Sequence, residues 1–314
     1  MFTTKIEIPE SPIKITHRDG VLALGSCFSE NIGKKMSDAG FRIDVNPFGV
    51  QYNPVSIRNS LRFLLDGKRF TAEDLFFDGS LWNSFSHSSL FSDIEQEKCL
   101  GKINSRLEKS NLQMSEMRFL FITFGTSWVF STTETGEIVS NCHKLPAQHF
   151  IRYSLSVEDI VHDYRNLIQR LNTQNPDLNI IFSVSPIRHW KDGAHENSLS
   201  KARLLLAVDN LQKEFANVHY FPAYELLMDE LRDYRFYASD MLHPSETAVN
   251  YIWERFSDCY FSAETKKIKA ELEQLNADLA HRPLHPESAN YQKFLENIET
   301  RKRKIAELYP NLRF

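Results

Sequence analysis

Short apolar runs alternate along the chain with longer segments of helical period, the pattern of an α/β fold built on a parallel sheet. Val21-Leu22-Ala23-Leu24 reads as a buried strand. Phe28, Ile32 and Met36 follow at four-residue spacing, one face of a helix that Gly40 stops. Ile57, Leu61, Leu64 and Leu65 mark a second helix after Asn53-Pro54. Residues 68–92 are aromatic and irregular, a loop-rich excursion, and Ile94, Leu100, Ile103 and Leu107 predict a helix beyond it. Arg118–Phe124 (RFLFITF) is the strongest strand, ended by Gly125-Thr126. Ile160, Val161, Tyr164, Leu167, Ile168 and Leu171 predict a helix, and Asn179–Val184 (NIIFSV) the next strand, ending at Ser185-Pro186. A long helix through Leu204, Leu205, Val208, Leu211 and Phe215 leads to a strand at Val218–Phe221. Val249, Ile252, Trp253 and Phe256 form a helix directly after His243-Pro244. At least four strands therefore alternate with helices, without an internal repeat. Right-handed crossovers place the strand C-termini, and the loops after them, on one edge of the sheet.

Beyond about residue 262 the pattern changes. Ile268, Leu272, Leu275 and Leu279 recur on a charged background, His281–Pro286 (HRPLHP) interrupts, and Tyr291, Phe294, Ile298, Ile305 and Leu308 resume the helical period. The division expected is an α/β domain over 1–262 and a helical hairpin over 263–314. The hairpin is expected to pack on the core or on a second copy of the chain as a homo-oligomer, with no chemistry of its own.

Composition narrows the class. Hydrophobic residues make up 42% and charged residues 25% of the 314, an ordinary globular balance, and 23 Phe and 11 Tyr supply large side chains for a core. A net charge of -4 predicts no general attraction to nucleic acid or to an anionic membrane. Met1–Pro9 shows no basic stretch followed by an apolar run, so no secretory signal is expected, and no segment approaches the ~18 apolar residues of a membrane span. Cys27, Cys99, Cys142 and Cys259 are scattered and form no CxxC pair, which suits reduced thiols and a cytoplasmic setting.

Two short segments carry candidate chemistry. The first strand ends at Gly25-Ser26-Cys27 where a helix begins, so Ser26 or Cys27 stands at the C-terminal sheet edge beside a helix N-terminus. Backbone N–H groups there favour an oxyanion and lower a thiol's pKa. The bland alternative is a capping Ser26 and a buried Cys27. The second segment is Asp240-Met241-Leu242-His243-Pro244, in a loop just before a helix. An aspartate three residues ahead of a histidine can accept its Nδ1 proton and leave Nε2 free as a general base.

Leu24-Gly25-Ser26-Cys27-Phe28-Ser29 resembles the signature of the GSCFA-domain proteins, within the wider SGNH/GDSL hydrolase group. The resemblance extends through Asn46-Pro47-Phe48-Gly49, Phe124–Trp128, Asn141–Lys144, Ser183–Pro186 and Asp240–Pro244, over roughly residues 18–260. It implies a three-layer α/β/α, flavodoxin-like parallel sheet and, from the wider group, ester hydrolysis or acyl transfer, often on acetylated sugars or lipids. Laid onto the wider group's Gly-Asp-Ser block, Cys27 takes the nucleophile's position and Ser26 the aspartate's. A shift of one residue restores Ser26, and Cys27 is preferred. The resemblance gives the oxyanion role to Gly49, in the block that Asn46 opens, and places Ser127 where an asparagine donor is expected. Asn141 is a substitute from a neighbouring loop.

The other polar clusters have readings on both sides. Asn141-Cys142-His143-Lys144 is placed at the lining of the site. Adjacent Cys142 and His143 are awkward metal ligands, so no metal and no cofactor is expected, and a metal enzyme using His87, His143 and His243 is the weakest alternative. Arg188-His189-Trp190-Lys191-Asp192-Gly193 follows a strand end and reads either as a site for an anionic or sugar substrate or as a solvated loop. Asn197, Ser200 and Lys201 open a helix and are expected only to cap and solvate it, and His87 is expected to be packed. The first function expected is an esterase or acyltransferase on a small-molecule or carbohydrate ester, through Cys27 or Ser26 with His243 and Asp240. The alternative is a non-catalytic carbohydrate-binding or scaffolding protein on a degenerate hydrolase fold.

Overall fold

Five runs pair in register as one parallel sheet: β1 (Gly20–Gly25), β2 (Arg42–Val45), β3 (Met117–Phe124), β4 (Asn179–Val184) and β5 (Val218–Phe221). Their order across the sheet, β5-β4-β3-β1-β2, is that of a flavodoxin-like doubly wound fold. The structure, a computed structural model, describes residues 3–114, 116–309 and 312, so Met1 and Phe2 of the N-terminal stretch lie outside it. The helices are α1 (Cys27–Asp38), α2 (Pro54–Leu65), α3 (Gln96–Met114), α4 (Val157–Gln174), α5 (Gly193–Glu214), α6 (Glu246–Tyr260), α7 (Ala263–Ala280) and α8 (Ala289–Leu308).

Both faces of the sheet are covered because alternate strand residues point opposite ways and nearly all are apolar. Leu22, Leu24, Leu120, Ile122, Phe124, Ile180 and Phe182 pack beneath α2, α3, α4 and α5. Val21, Ala23, Phe119, Phe121, Ile181 and Phe221 pack beneath α1, α6 and the turn around Leu226–Leu231. α7 and α8 close a smaller core of Ile268, Leu272, Leu275, Ile298 and Ile305. They are fastened to the main body by Trp253 Nε1 to Glu273 at 2.9 Å, Lys269 Nζ to Glu254 at 2.7 Å and Asn276 to the Asp38 carbonyl at 2.6 Å. Among the described residues no helix is long and apolar enough to cross a membrane.

Three elements depart from expectation. β2 has Arg42 and Asp44 on a half-buried edge, paired with Glu116, just ahead of β3, and with Arg106 of α3, so its charges hide a strand. Trp128–Thr132, Ile138–Val139 and Phe150–Ser154 form an antiparallel ribbon whose short, half-polar strands leave little apolar signal. Ile94 is exposed and precedes α3 instead of belonging to it.

The largest correction concerns the second turn of α5. Asn197, Ser200 and Lys201 do not solvate the helix; all three are buried. Asn197 Oδ1 accepts from the His189 N–H at 3.0 Å, and Ser200 Oγ from the Ser127 N–H at 2.8 Å. Lys201 Nζ donates to the carbonyls of Gly125 and Ser185, both at 2.7 Å, and so clamps the chain just past β3 to the chain just past β4. Among the described residues no carboxylate pairs with this amine. Burial therefore dominates and pushes its pKa down to about 7, with Cys27 pulling it up and Arg188 further down.

Because the folded value lies below the ordinary 10.5, the unfolded chain binds more protons between about pH 7 and 10.5, and stability rises with pH through that window. Lys201→Met leaves two buried carbonyls unpaired, at about 1–3 kcal/mol each. Thermal melts of wild type and Lys201→Met should show the wild type's advantage growing as pH is raised from about 6 to about 9. An advantage independent of pH would contradict the assignment of a buried, unpaired amine.

Candidate active site

The turn after β1 is built around a backbone that only glycine tolerates. Gly25 has φ +140°, and a Cβ there would strike the Thr123 carbonyl. Its N–H donates to Asn46 Oδ1 at 2.9 Å. Ser26 is the N-cap of α1: its Oγ accepts from the Phe28 N–H at 3.3 Å, and the residue is 1% exposed. Cys27 is the first helical residue and is only half-buried. Burial pushes its thiol up and Glu30 adds to the effect; the N–H groups of Cys27 and Phe28 and the Lys201 cation pull the other way. The thiol is thus protonated at rest and needs a base to become a nucleophile.

The turn after β2 closes over the first. Asn46, at φ +43°, donates its N–H to the Ala23 carbonyl at 2.8 Å. Since its side chain accepts from the Gly25 N–H, the amide oxygen faces Gly25 and Nδ2 faces away, buried and without a partner among the described residues. Gly49, expected to offer an oxyanion N–H, already donates that N–H to the Asn46 carbonyl at 2.8 Å. It is glycine for another reason: φ is +79°, and a Cβ would collide with Ser88. The Tyr52 carbonyl accepts from Gly125 and Thr126 at 2.7 and 2.9 Å. Burial pushes the Tyr52 phenol up, and negative charge at Cys27 or Glu30 would add to the effect; its ring meets the His189 ring edge-on at 5.5 Å.

Asp240 organises the third loop by itself. Oδ1 accepts from the N–H groups of Leu242 and His243, both at 2.9 Å, and Oδ2 binds His243 Nδ1 at 2.6 Å. Those two N–H groups, followed by the imidazole, hold the carboxyl at about 2. Met241 sits at φ +58° in the tight turn this produces, and the His243 carbonyl accepts from Ala238 at 2.8 Å. With Nδ1 committed, Nε2 is the free nitrogen. It makes no hydrogen bond to Cys27 or Ser26 among the described residues.

His189 links the loops electrostatically. Burial, then Lys201, lower its pKa to about 4; Asp192 opposes, and Arg152 and His243 lower it further, so the ring is neutral at pH 7. Tyr52 and His189 are in ring contact, and each feels a charge from one of the two candidate segments, Tyr52 from Cys27 and His189 from His243. Cys27 and His189 follow the C-terminal ends of β1 and β4, on the sheet edge where the strand order reverses and ligands of doubly wound sheets bind.

Several expected residues lie elsewhere. Ser127 is fully buried, its Oγ bonded to Ser154 at 2.8 Å and Ser200 at 3.1 Å, so it braces the ribbon and α5. Asn141 caps its own loop, accepting from the His143 N–H at 2.9 Å and donating to Ser89 at 3.3 Å. His143 is buried with Nε2 on the Ser84 carbonyl at 2.9 Å. His87 is packed on Phe48 with its pKa lowered to about 3, chiefly by burial. Arg188 borders a groove of about 460 Å³ that Asp240, Met241 and Leu242 also line. Among the described residues no three His, Cys, Asp or Glu side chains are grouped to hold a metal.

Sequence reasoning missed Tyr52 and the role of Lys201. A signal for Lys201 existed: positions 197, 201, 204, 208 and 211 make one helical stripe, all of it buried. A lysine inside an apolar stripe is the feature to look for.

No curated protein matches the chain. The solved structures similar to it include a family 3 carbohydrate esterase from Clostridium thermocellum, 13% identical, with 80% of this chain and 98% of that one covered and a TM-score of 0.35. A carbohydrate esterase family 2 enzyme with a carbohydrate-binding domain, from Corynascus thermopiles (Myceliophthora fergusii), is 12% identical over 84% and 68%, at 0.39. A family two carbohydrate esterase from Clostridium thermocellum in complex with cellohexaose is 14% identical over 85% and 67%, at 0.37. Likeness at these levels carries neither an activity nor a substrate across. Residues 272–314 match the C-terminal domain of GSCFA domain proteins, and residues 20–256 match the GSCFA family itself. With most of its length matched, the chain belongs to the GSCFA family.

Proposed function

We propose that the chain hydrolyses or transfers the acyl group of an ester, with Cys27 as nucleophile, His243 as general base and Asp240 as the group that orients it. The observation that carries this reading is the 2.6 Å Asp240–His243 contact, which commits Nδ1 to the carboxylate and leaves Nε2 to act as the base. Cys27 is favoured over Ser26 because Ser26 is buried and its hydroxyl is engaged as a cap, whereas the thiol is partly accessible.

In the reaction Nε2 takes the thiol proton as Sγ bonds to the acyl carbon, and the carbonyl electrons move onto oxygen. That oxyanion is assigned to the backbone N–H of Cys27, in the first turn of α1 where N–H groups have no intrahelical acceptor, and to Asn46 Nδ2, which has no partner among the described residues. Collapse expels the alcohol, which takes the proton back from Nε2 and leaves a thioester on Cys27. Water or a second alcohol, deprotonated by His243, then releases the acyl group. Nε2 has to come within hydrogen-bond reach of Sγ for the first step. The reading assigns that approach to the 240–243 turn, where Asp240, Met241 and His243 are exposed, since α1 is anchored by buried Phe28, Ile32 and Met36.

A second reading, a non-catalytic binding protein on the same fold, draws support from the withdrawn Ser127 hydroxyl and the occupied Gly49 N–H. Both readings meet one assay, a panel of activated esters and thioesters. Cys27→Ala and His243→Ala are expected to abolish turnover. Ser26→Ala should keep it while losing about 1 kcal/mol of stability with the cap. Turnover lost in Ser26→Ala but retained in Cys27→Ala would move the nucleophile by one residue. Absence of turnover in wild type across the panel would leave the binding reading standing.

Asn46→Asp keeps the oxygen that receives Gly25 and removes the Nδ2 donor. It should lower kcat by on the order of 10²–10³ with KM little changed. An unchanged kcat would remove Asn46 from the oxyanion site.

A further inference from the structure

The groove beside the dyad has its own chemistry. Its volume is about 460 Å³, and one wall is the Asp240–Leu242 turn. Trp190 and Tyr234 are 52% and 73% exposed, and Tyr237 lines the same groove. Exposed aromatic faces gathered in a concavity suit the apolar C–H faces of a pyranose ring, with polar groups left to fix its orientation.

The charges in the groove are accounted for except one. Arg232 meets Asp229 at 3.4 Å, Asp233 meets Arg235 at 3.0 Å, and Asp240 is committed to His243. Arg188 has no carboxylate partner among the described residues. Its Nε and Nη2 rest on the Met228 thioether at 3.4 and 3.3 Å, a weak acceptor that sets the guanidinium plane without neutralising it. A half-buried guanidinium is planar and matches a carboxylate two bonds at a time. The two acids that line the groove, Asp233 and Asp240, suit a single negative charge better than a phosphate dianion.

We infer that this groove is a subsite for an acidic saccharide, with Arg188 receiving the carboxylate of a uronate residue while Trp190 and Tyr234 pack against the sugar rings. The inference rests on the ester reading only in placing that saccharide beside the scissile bond, as the alcohol part of the substrate.

Binding without turnover tests it. Calorimetry on Cys27→Ala, which has no nucleophile, is run with galacturonate and glucuronate trimers, with neutral galactose and glucose trimers, and with inorganic phosphate. A uronate trimer should bind about tenfold or more tighter than its neutral counterpart, the preference falling as salt is raised and vanishing in Arg188→Met. Arg188→Lys should restore part of the preference, since it keeps the charge and loses the fork. Equal affinity for uronate and neutral trimers overturns the inference, as does tighter binding of phosphate than of uronate or no saccharide binding at all. Because no ester is cleaved, an inactive wild type would leave this result intact, and equal affinities would leave the ester chemistry intact.

Discussion

A parallel sheet ends in carbonyls that no further strand receives, and at the ends of β3 and β4 one buried ammonium ties two of them together. Lys201 reaches from α5 to Gly125 and Ser185, the first residues beyond those strands. Its neighbour Ser200 holds Ser127, and Asn197 holds the His189 backbone. Four hydrogen bonds from three residues on one helix face thus set the loops from which the candidate site is made. The cost is an amine buried without a counter-ion among the described residues, tolerable because the carbonyls solvate it and because it releases its proton easily.

The same cation lies within electrostatic reach of Cys27, where a negative charge would develop. Cys27 is held up by burial, Asp240 is held down by three hydrogen bonds, and His189 is kept neutral by burial first and by Lys201 second. Groups pushed in different directions at one sheet edge are what proton transfer and acyl transfer require. Asn46 joins the two halves of the turn region: its oxygen orders the Gly25 backbone and its nitrogen has no partner among the described residues.

The sheet was legible in the sequence because its central strands are continuous apolar runs, and β4 and β5 coincide with the segments read. The edge strand β2 and the antiparallel ribbon were not, since their charges are neutralised only by residues distant in sequence, such as Glu116, Arg106 and Asp192. The pairing of Asp240 with His243 was legible because three residues suffice to curl the side chain back. The donors were misread where the resemblance supplied a role without a geometry: Gly49 spends its N–H within the turn, and Ser127 faces the ribbon. Lys201 was overlooked because its place near a helix start suggested a solvated end, although its position in the buried stripe said otherwise.

The central claim is that the Gly25-Ser26-Cys27 turn and the Asp240–His243 loop form one acyl-transfer centre. Rapid acid quench of the protein with an activated ester, followed by mass spectrometry of its peptides, tests this most directly. The account predicts an acyl thioester on Cys27 that fails to form when His243 is replaced by alanine. An acyl group on another residue, or labelling of Cys27 indifferent to His243, would contradict it.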